Sequence, residues 1–258
     1  MRSFSCDFHI HSTLSPCAEL EMSPRAIMRK SREVGLDMIA ITDHNMAENS
    51  HYAALLSQPA GPVVLFGMEV QTVEEVHLLA LFPDYETAMG LQALIYSLLP
   101  PLENRPDYFG DQVVVDQEDM IVRFESRLLL NSASISVNDA VSWVKAHGGL
   151  VIASHIDSPA FSLISQLGYV PDDTPFDALE VADREKLLAL LGVVKAKNIP
   201  IVSFSDAHCL EDLGRRRTSL VMEEATFREV VRALQASRET VGMLEKRERT
   251  RAHAGTVK

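Results

Sequence analysis

The sequence predicts an α/β protein in which short strands alternate with helices. Short apolar runs recur between stretches of helical spacing. No internal repeat or low-complexity tract interrupts the rhythm. Histidines and acids gather where the apolar runs end. With 258 residues, 47% hydrophobic and 23% charged, the chain has the composition of a folded protein able to bury a sizeable core.

Residues 3–9 read as a first strand. Ser23-Pro24 then supplies an N-cap and a proline at the first helical position. Ile27, Ser31 and Val34 share one face of the helix, and Gly35 stops it. Residues 37–42 (DMIAIT), 63–66 and 76–82 (VHLLALF) are three more strands. Residues 85–99 form a helix ended by Pro100-Pro101. Residues 101–130 break the alternation and read as an insertion. Within them, residues 112–115 and 120–123 flank the acidic turn DQED, which predicts a β-hairpin acting as a lid or flap. Ser136 caps a helix with Val137, Ala140, Val141 and Val144 on one face. Gly148-Gly149 ends that helix, and residues 150–154 form the next strand. Residues 178–181 and 200–204 are strands separated by a helix over 184–196. A strand near 219–222 and a helix carrying Phe227, Val230, Val231 and Leu234 complete one domain over 1–244. Residues 245–258 form a charged tail.

Lys plus Arg number 24 and Asp plus Glu 36, a net charge of −12. Such a chain is expected to lack a general duplex nucleic-acid surface, which needs many cations. It can still take a phosphorylated substrate at a local positive centre such as bound metal ions. Three cysteines make no disulfide framework. The start MRSFSCDFHIHS has no signal-peptide core, and no apolar run reaches the ~18 residues of a membrane span. A cytoplasmic protein without membrane contact is expected. Oligomeric state is left open.

Six of the nine histidines carry the chemistry. His9 and His11 end the first strand. Asp43-His44 follows DMIAIT, and Glu69 follows VVLFGM. His77 opens VHLLALF, His155 ends LVIAS, and Asp206 and His208 follow PIVSF. In a barrel of alternating strands and helices, strand ends converge on one face. H-x-H and D-x-H on extended chain put both side chains on one side. Imidazoles with carboxylates suit zinc, manganese or iron, and a carboxylate can bridge two ions. Any one of these histidines alone reads as an ordinary surface or core residue. Together they predict a metal site.

HIHS, ITDHN, the isolated Glu69, A-x-H after a Gly-Gly strand, and SDAH, in this order from about residue 5 to 222, resemble the PHP (polymerase and histidinol phosphatase) family. The resemblance implies a distorted TIM-like barrel of about seven β/α units and two or three divalent metal ions. It places His9, His11, Glu69 and Asp206 on one ion. Glu69 would bridge to a second held by His77 and His155, and His44 and His208 would help hold a third. The chain departs from the family pattern in the loop HSTLSPCAELE. Cys17 falls where the phosphatases carry a histidine, and a thiolate there would favour zinc. A buried inert cysteine is the competing reading, and Glu19 and Glu21 are weaker substitutes.

The function these residues imply is hydrolysis of a phosphate ester by metal-bound hydroxide, with Asp206, His208 and Glu69 as catalytic residues. No side-chain nucleophile is evident. Arg215 and Arg217, in LGRRRT after SDAH, and Arg184 after the 178–181 strand, are candidate phosphate-binding cations. Asp43 and Asn45 are candidates to orient His44. The acidic residues of the insertion would repel a long polyanion if they faced the cleft. The expected substrate is therefore a small phosphorylated molecule, a nucleotide or an oligonucleotide end. Histidinol phosphatase is an alternative, and so is a non-catalytic metal-stabilised module associated with a DNA polymerase or another partner.

Overall fold

The computed structural model describes residues 1–57, 61–183 and 199–237. The elements, in chain order, begin with β1 (Arg2–Ile10), α1 (Pro24–Glu33), β2 (Met38–Ile41), α2 (Glu48–Leu55), β3 (Val63–Gln71) and β4 (His77–Phe82). There follow α3 (Tyr85–Leu98), α4 (Pro106–Phe109), β5 (Val113–Val115), β6 (Ile121–Phe124) and α5 (Val137–Ala146). The chain continues through β7 (Leu150–Ala153), α6 (Leu163–Leu167), β8 (Ala178–Glu180), β9 (Ile201–Val202) and β10 (Thr218–Met222). The caps Ser23 and Ser136 were legible, and Asp84 joins them. Ser23, Asp84 and Ser136 each accept a backbone N–H at the start of a helix.

Eight strands form one sheet in the order β10-β1-β2-β3-β4-β7-β8-β9. It curls into a nearly closed, TIM-like barrel. Thr218 beside the β10 edge joins Ser203 beside the β9 edge, accepting its N–H at 2.8 Å and donating to its carbonyl at 2.9 Å. Alternate residues of the strands, among them Phe4, Cys6, Phe8, Leu79, Leu81, Leu150 and Ile152, form one buried cluster. This is what period-two side chains on a curled sheet produce. Val230 and Leu234, on helical residues 227–237, join it. The opposite faces of β3, β4 and β7 pack against α3 and α5, and those of β1 and β2 against α1.

Two features depart from a uniform β/α alternation, and one of them builds the site. β4 returns antiparallel beside β3 and also runs antiparallel to β7. The first residue of β4, His77, therefore lies at the same rim as the last residues of β3, and Gln71 pairs with it. β10 likewise pairs antiparallel with β1. The expected strand over 200–204 shrinks to Ile201–Val202. Beyond it, side chains replace the ladder: Ser205 N–H donates to Asp7 (3.0 Å), and Arg216 donates to the carbonyls of Phe204 and Ser205 (2.8 and 2.6 Å).

The predicted hairpin is present as β5–β6, a separate two-stranded sheet. Its acidic turn is not among the described residues that line the cleft at the histidines. Arg25 of α1 donates to Gln117 O (2.8 Å) and to the Glu118 carboxylate (2.7 Å), drawing the turn to α1. β5 is tied down by Val113 N–H to Thr13 O (2.8 Å) and Val115 N–H to Asn49 (3.2 Å). The helix expected over 184–196, Arg184 within it, and the charged tail lie outside the described residues.

Candidate metal centre

Glu69 is the hub. Its buried carboxylate divides the histidines between its two oxygens. Oε1 lies 3.1 Å from His9 Nε2, 3.2 Å from His77 Nδ1 and 3.4 Å from His155 Nε2. Oε2 lies 3.1 Å from His44 Nδ1 and 3.6 Å from His11 Nε2. Asp206 Oδ1 stands 3.3 Å from His9 Nε2 and 3.4 Å from His11 Nε2. His208 stacks on His11 with ring centroids 4.3 Å apart. Three overlapping sets thus bring ligand atoms within 4.8 Å of one another: His9, His11 and Asp206; His44, Glu69 and His77; and His11, Cys17, His44 and His208.

The donor set fits divalent cations. Nδ1 of His44, Nδ1 of His77 and Oε1 of Glu69 are buried without a hydrogen-bond partner, which is costly unless something else satisfies them. Nitrogen, oxygen and sulfur donors together suit a borderline ion such as zinc. His155 Nε2 reaches Glu69 Oε1 at 3.4 Å but belongs to none of the three sets.

Four of the rings, those of His9, His11, His77 and His208, are aimed by a group behind them. His9 Nδ1 donates to the buried Glu180 carboxylate (2.9 Å), which leaves Nε2 to the cluster. His11 Nδ1 donates to Ser15 Oγ (2.9 Å), and Ser15 donates to Asp43 (2.7 Å). His77 Nε2 meets Gln71 Oε1 at 3.3 Å, and Gln71 is itself fixed by Ser132 at 3.0 Å. His208 Nδ1 donates to Asp206 O at 3.0 Å. Asp43 thus serves the 12–15 loop and His11 more directly than His44. Asn45 holds strand and loop backbone, accepting Gln71 N–H (3.0 Å) and donating to Leu129 O (2.8 Å). Sequence reading missed Glu180, Ser15 and Gln71. Glu180 had a signal: an acid inside the apolar strand ALEV.

Burial and mutual charge set the protonation. Burial alone would lower His9, but Glu180, Asp206 and Glu69 raise it well above the ordinary histidine value. Burial, with His208 and His44 beside it, pushes His11 well below. Burial would raise Glu69 and Asp206, yet the surrounding imidazoles hold both carboxylates below their usual range. Burial would also raise Cys17, but His44 and His208 bring it down to about 6. The backbone is strained here. Asn45, His155, Phe161 and Asp206 all adopt positive φ, between 26° and 56°. Such outliers concentrate at functional sites.

The cluster forms one wall of a cleft of about 490 Å³. Arg215 and Arg217 are not among the described residues that line it. Arg215 is paired with Asp212 (2.7 Å), while Arg217 donates to Gly214 O and to Val34 O beyond α1 (both 2.8 Å). The turn directs their guanidinium groups to the structure around it. Arg216 holds the loop that carries Asp206.

The chain is a nearly closed β/α barrel with a histidine and carboxylate cluster at one rim. The family described as PHP-associated matches residues 191–239. The chain is similar to endonuclease EndoQ of Pyrococcus furiosus (TM-score 0.71, 20% identity, 91% of this chain and 56% of that one). It is similar to Endonuclease Q bound to a 27-mer duplex with an abasic lesion at the active site (TM-score 0.66, 19% identity, 91% and 57%). It is also similar to a protein of Bifidobacterium adolescentis described as a metal-dependent phosphoesterase (TM-score 0.53, 22% identity, 79% and 87%). The chain spans little more than half the length of the two endonucleases. No curated protein sequence matches it. The resemblance to the PHP family carried by the sequence motifs holds in the fold as well.

The expectation of no duplex nucleic-acid surface is overturned. Endonuclease Q, which shares this fold, is seen with a duplex substrate. The expectation rested on net charge, which is a sum over the whole chain. Binding depends on local potential, and metal ions held by such a cluster would add cations that the residue count omits. The acidic turn, which was to repel a polyanion, is held against α1. Among the described residues, no helix is long and apolar enough to cross a membrane.

Proposed function

We propose that this chain is a metal-dependent phosphoric ester hydrolase whose substrate is a nucleotide or nucleic-acid phosphate ester. The observation that carries the reading is the Glu69 hub, five imidazole nitrogens within 3.6 Å of one buried carboxylate. His9, His11, His44, Glu69, His77, His155, Asp206 and His208 would hold two or three ions, and Cys17 would complete the set formed by His11, His44 and His208. Bound divalent cations supply Lewis acidity toward a phosphoryl group and toward water. The chain's own groups do the rest. Glu180, Ser15 and Gln71 fix ring orientation and tautomer. Glu69 spans the sets with both oxygens. Asp206 and His208, whose side chains are 30% and 34% exposed, are the acid and base most open to the cleft.

The test is product release by protein loaded in turn with manganese, zinc and iron. Nucleoside monophosphates, histidinol phosphate, and DNA strands with and without an abasic site form the panel, with Asp206→Ala as the blank. Hydrolysis above that blank is expected, and the substrate that gives it separates the nucleotide reading from histidinol phosphatase. Equal release by Asp206→Ala, or none with any metal, would overturn the proposal in favour of a metal-stabilised module.

A further inference from the structure

Beside the ligand cluster, the cleft lining also includes Leu130, Pro159, Ala160 and Phe161. Phe161 is in an unusual position. Its ring lies nearly parallel to the His77 imidazole, 4.8 Å away at 10°, yet the residue is 40% exposed. Its φ is +56°, a left-handed conformation that a bulky side chain disfavours.

The surrounding loop enforces this. Phe161 O accepts His77 N–H (2.9 Å), and Ser158 N–H donates to His155 O (2.7 Å). Ser162, the N-cap of α6, donates to Ser158 O at 2.8 Å. The loop around Phe161 is therefore pinned, once to β4 and once to His155, two residues beyond β7. An aromatic ring needed only for packing gains by full burial. Here the fold maintains an unfavourable backbone and leaves the ring partly in water at the cleft, flat against a candidate ligand.

We infer that Phe161 is a stacking platform for the nucleobase of the phosphate ester that the cluster binds. This rests on the phosphoesterase reading and specifies its substrate class. Every nucleobase presents a π-face to such a ring, so the contact selects nucleotides over sugar phosphates without reading sequence.

The experiment compares adenosine 5′-monophosphate with ribose 5-phosphate on manganese-loaded protein. A dinucleotide and its counterpart lacking one base make the same comparison for a strand. Both the KM ratio by phosphate release and the Kd ratio by calorimetry are measured. The wild type is expected to prefer the base-containing member of at least one pair. Phe161→Ala should cut that preference about tenfold, the scale of one base stacked on one aromatic ring. Phe161→Tyr should restore it. Manganese affinity, measured in parallel, reports a purely structural role at His77. An unchanged preference in Phe161→Ala, equal losses for both members of a pair, or no preference in the wild type would overturn the inference. A binding preference that depends on Phe161 without turnover would leave the platform standing and remove the hydrolase reading.

Discussion

Cys17 and Cys6 are opposites at the scale of single residues. Cys17 is exposed beside His44 and His208, which bring its thiol down to about 6. Burial first, then Asp37 and Asp7, push Cys6 up to about 12. The thiolate is the reactive form, so metal-stripped protein should be alkylated at Cys17 with a rate that rises through pH 6 and levels off by pH 8. Cys6 should stay unmodified in the folded state. Zinc should protect Cys17 by engaging its sulfur. Peptide mass spectrometry after timed iodoacetamide pulses checks all three. A Cys17 rate that climbs only above pH 8, or one indifferent to zinc, would mean the cysteine lies outside the ligand set. Glu180 makes a second prediction. A carboxylate behind a ligating histidine typically contributes 10–100-fold in metal affinity. Glu180→Ala should therefore weaken binding by about that factor in a competitive chelator titration, and Glu180→Gln by less, because its amide oxygen still accepts from His9. Unchanged affinity in both variants would refute the orienting role.

At the scale of elements, the β3–β4 pair does the assembling. Its antiparallel return sets His77 at the rim next to Glu69. Gly67 permits the close fit, since a Cβ there would stand 2.2 Å from Ala80 O and 2.9 Å from the Leu81 side chain. Gly67→Ala must push β4 away. A loss of about 1–3 kcal/mol is expected, read from urea unfolding, together with a lower metal stoichiometry. Gly90, inside α3, is the control, because a Cβ there meets only the Trp143 ring at 3.6 Å. Gly90→Ala should stabilise by roughly 0.5–1 kcal/mol through helix propensity. If Gly67→Ala unfolds like the wild type and binds metal fully, the pair is less constrained than its geometry implies. The same pair marks the limit of sequence reading. The runs 63–66 and 76–82 were legible as strands, because apolar clustering reports burial. Their antiparallel pairing was not, because period-two patterns carry no direction. The hairpin β5–β6 was legible from its turn, whereas the place of that turn depends on Arg25, 92 residues from Gln117.

The whole molecule explains why the residues of the cluster were readable and their supports were not. Histidine and carboxylate at strand ends announce themselves by type and spacing. Glu180 acts on His9 from 171 residues away, and nothing local in the sequence joins the two. Arg215 and Arg217 failed to reach the cleft because a turn's side-chain directions emerge only with its partners. The net charge of −12 misled in a similar way, as an average over a surface whose chemistry is local. The cluster also bears on stability. It draws ligands from β1, β3 and β4 and from the segments after β2, β7 and β9, so cations there would tie together most of the barrel's circumference. Without them, orphaned atoms of His44, His77 and Glu69 remain buried in the core of the site. Any ligand that binds only the folded state adds RT ln(1 + [L]/Kd), about 2.7 kcal/mol at a hundredfold excess over Kd. For a chain of this size that corresponds to a Tm shift of roughly 5–10 °C. Chelation should therefore lower the Tm by about that amount, and readdition of manganese or zinc should restore it, while Asp206→Ala should show a smaller shift. Calorimetry with and without chelator decides the point. A Tm indifferent to chelation, in protein shown to bind the ions, would mean the barrel closes around its histidines without help from metal.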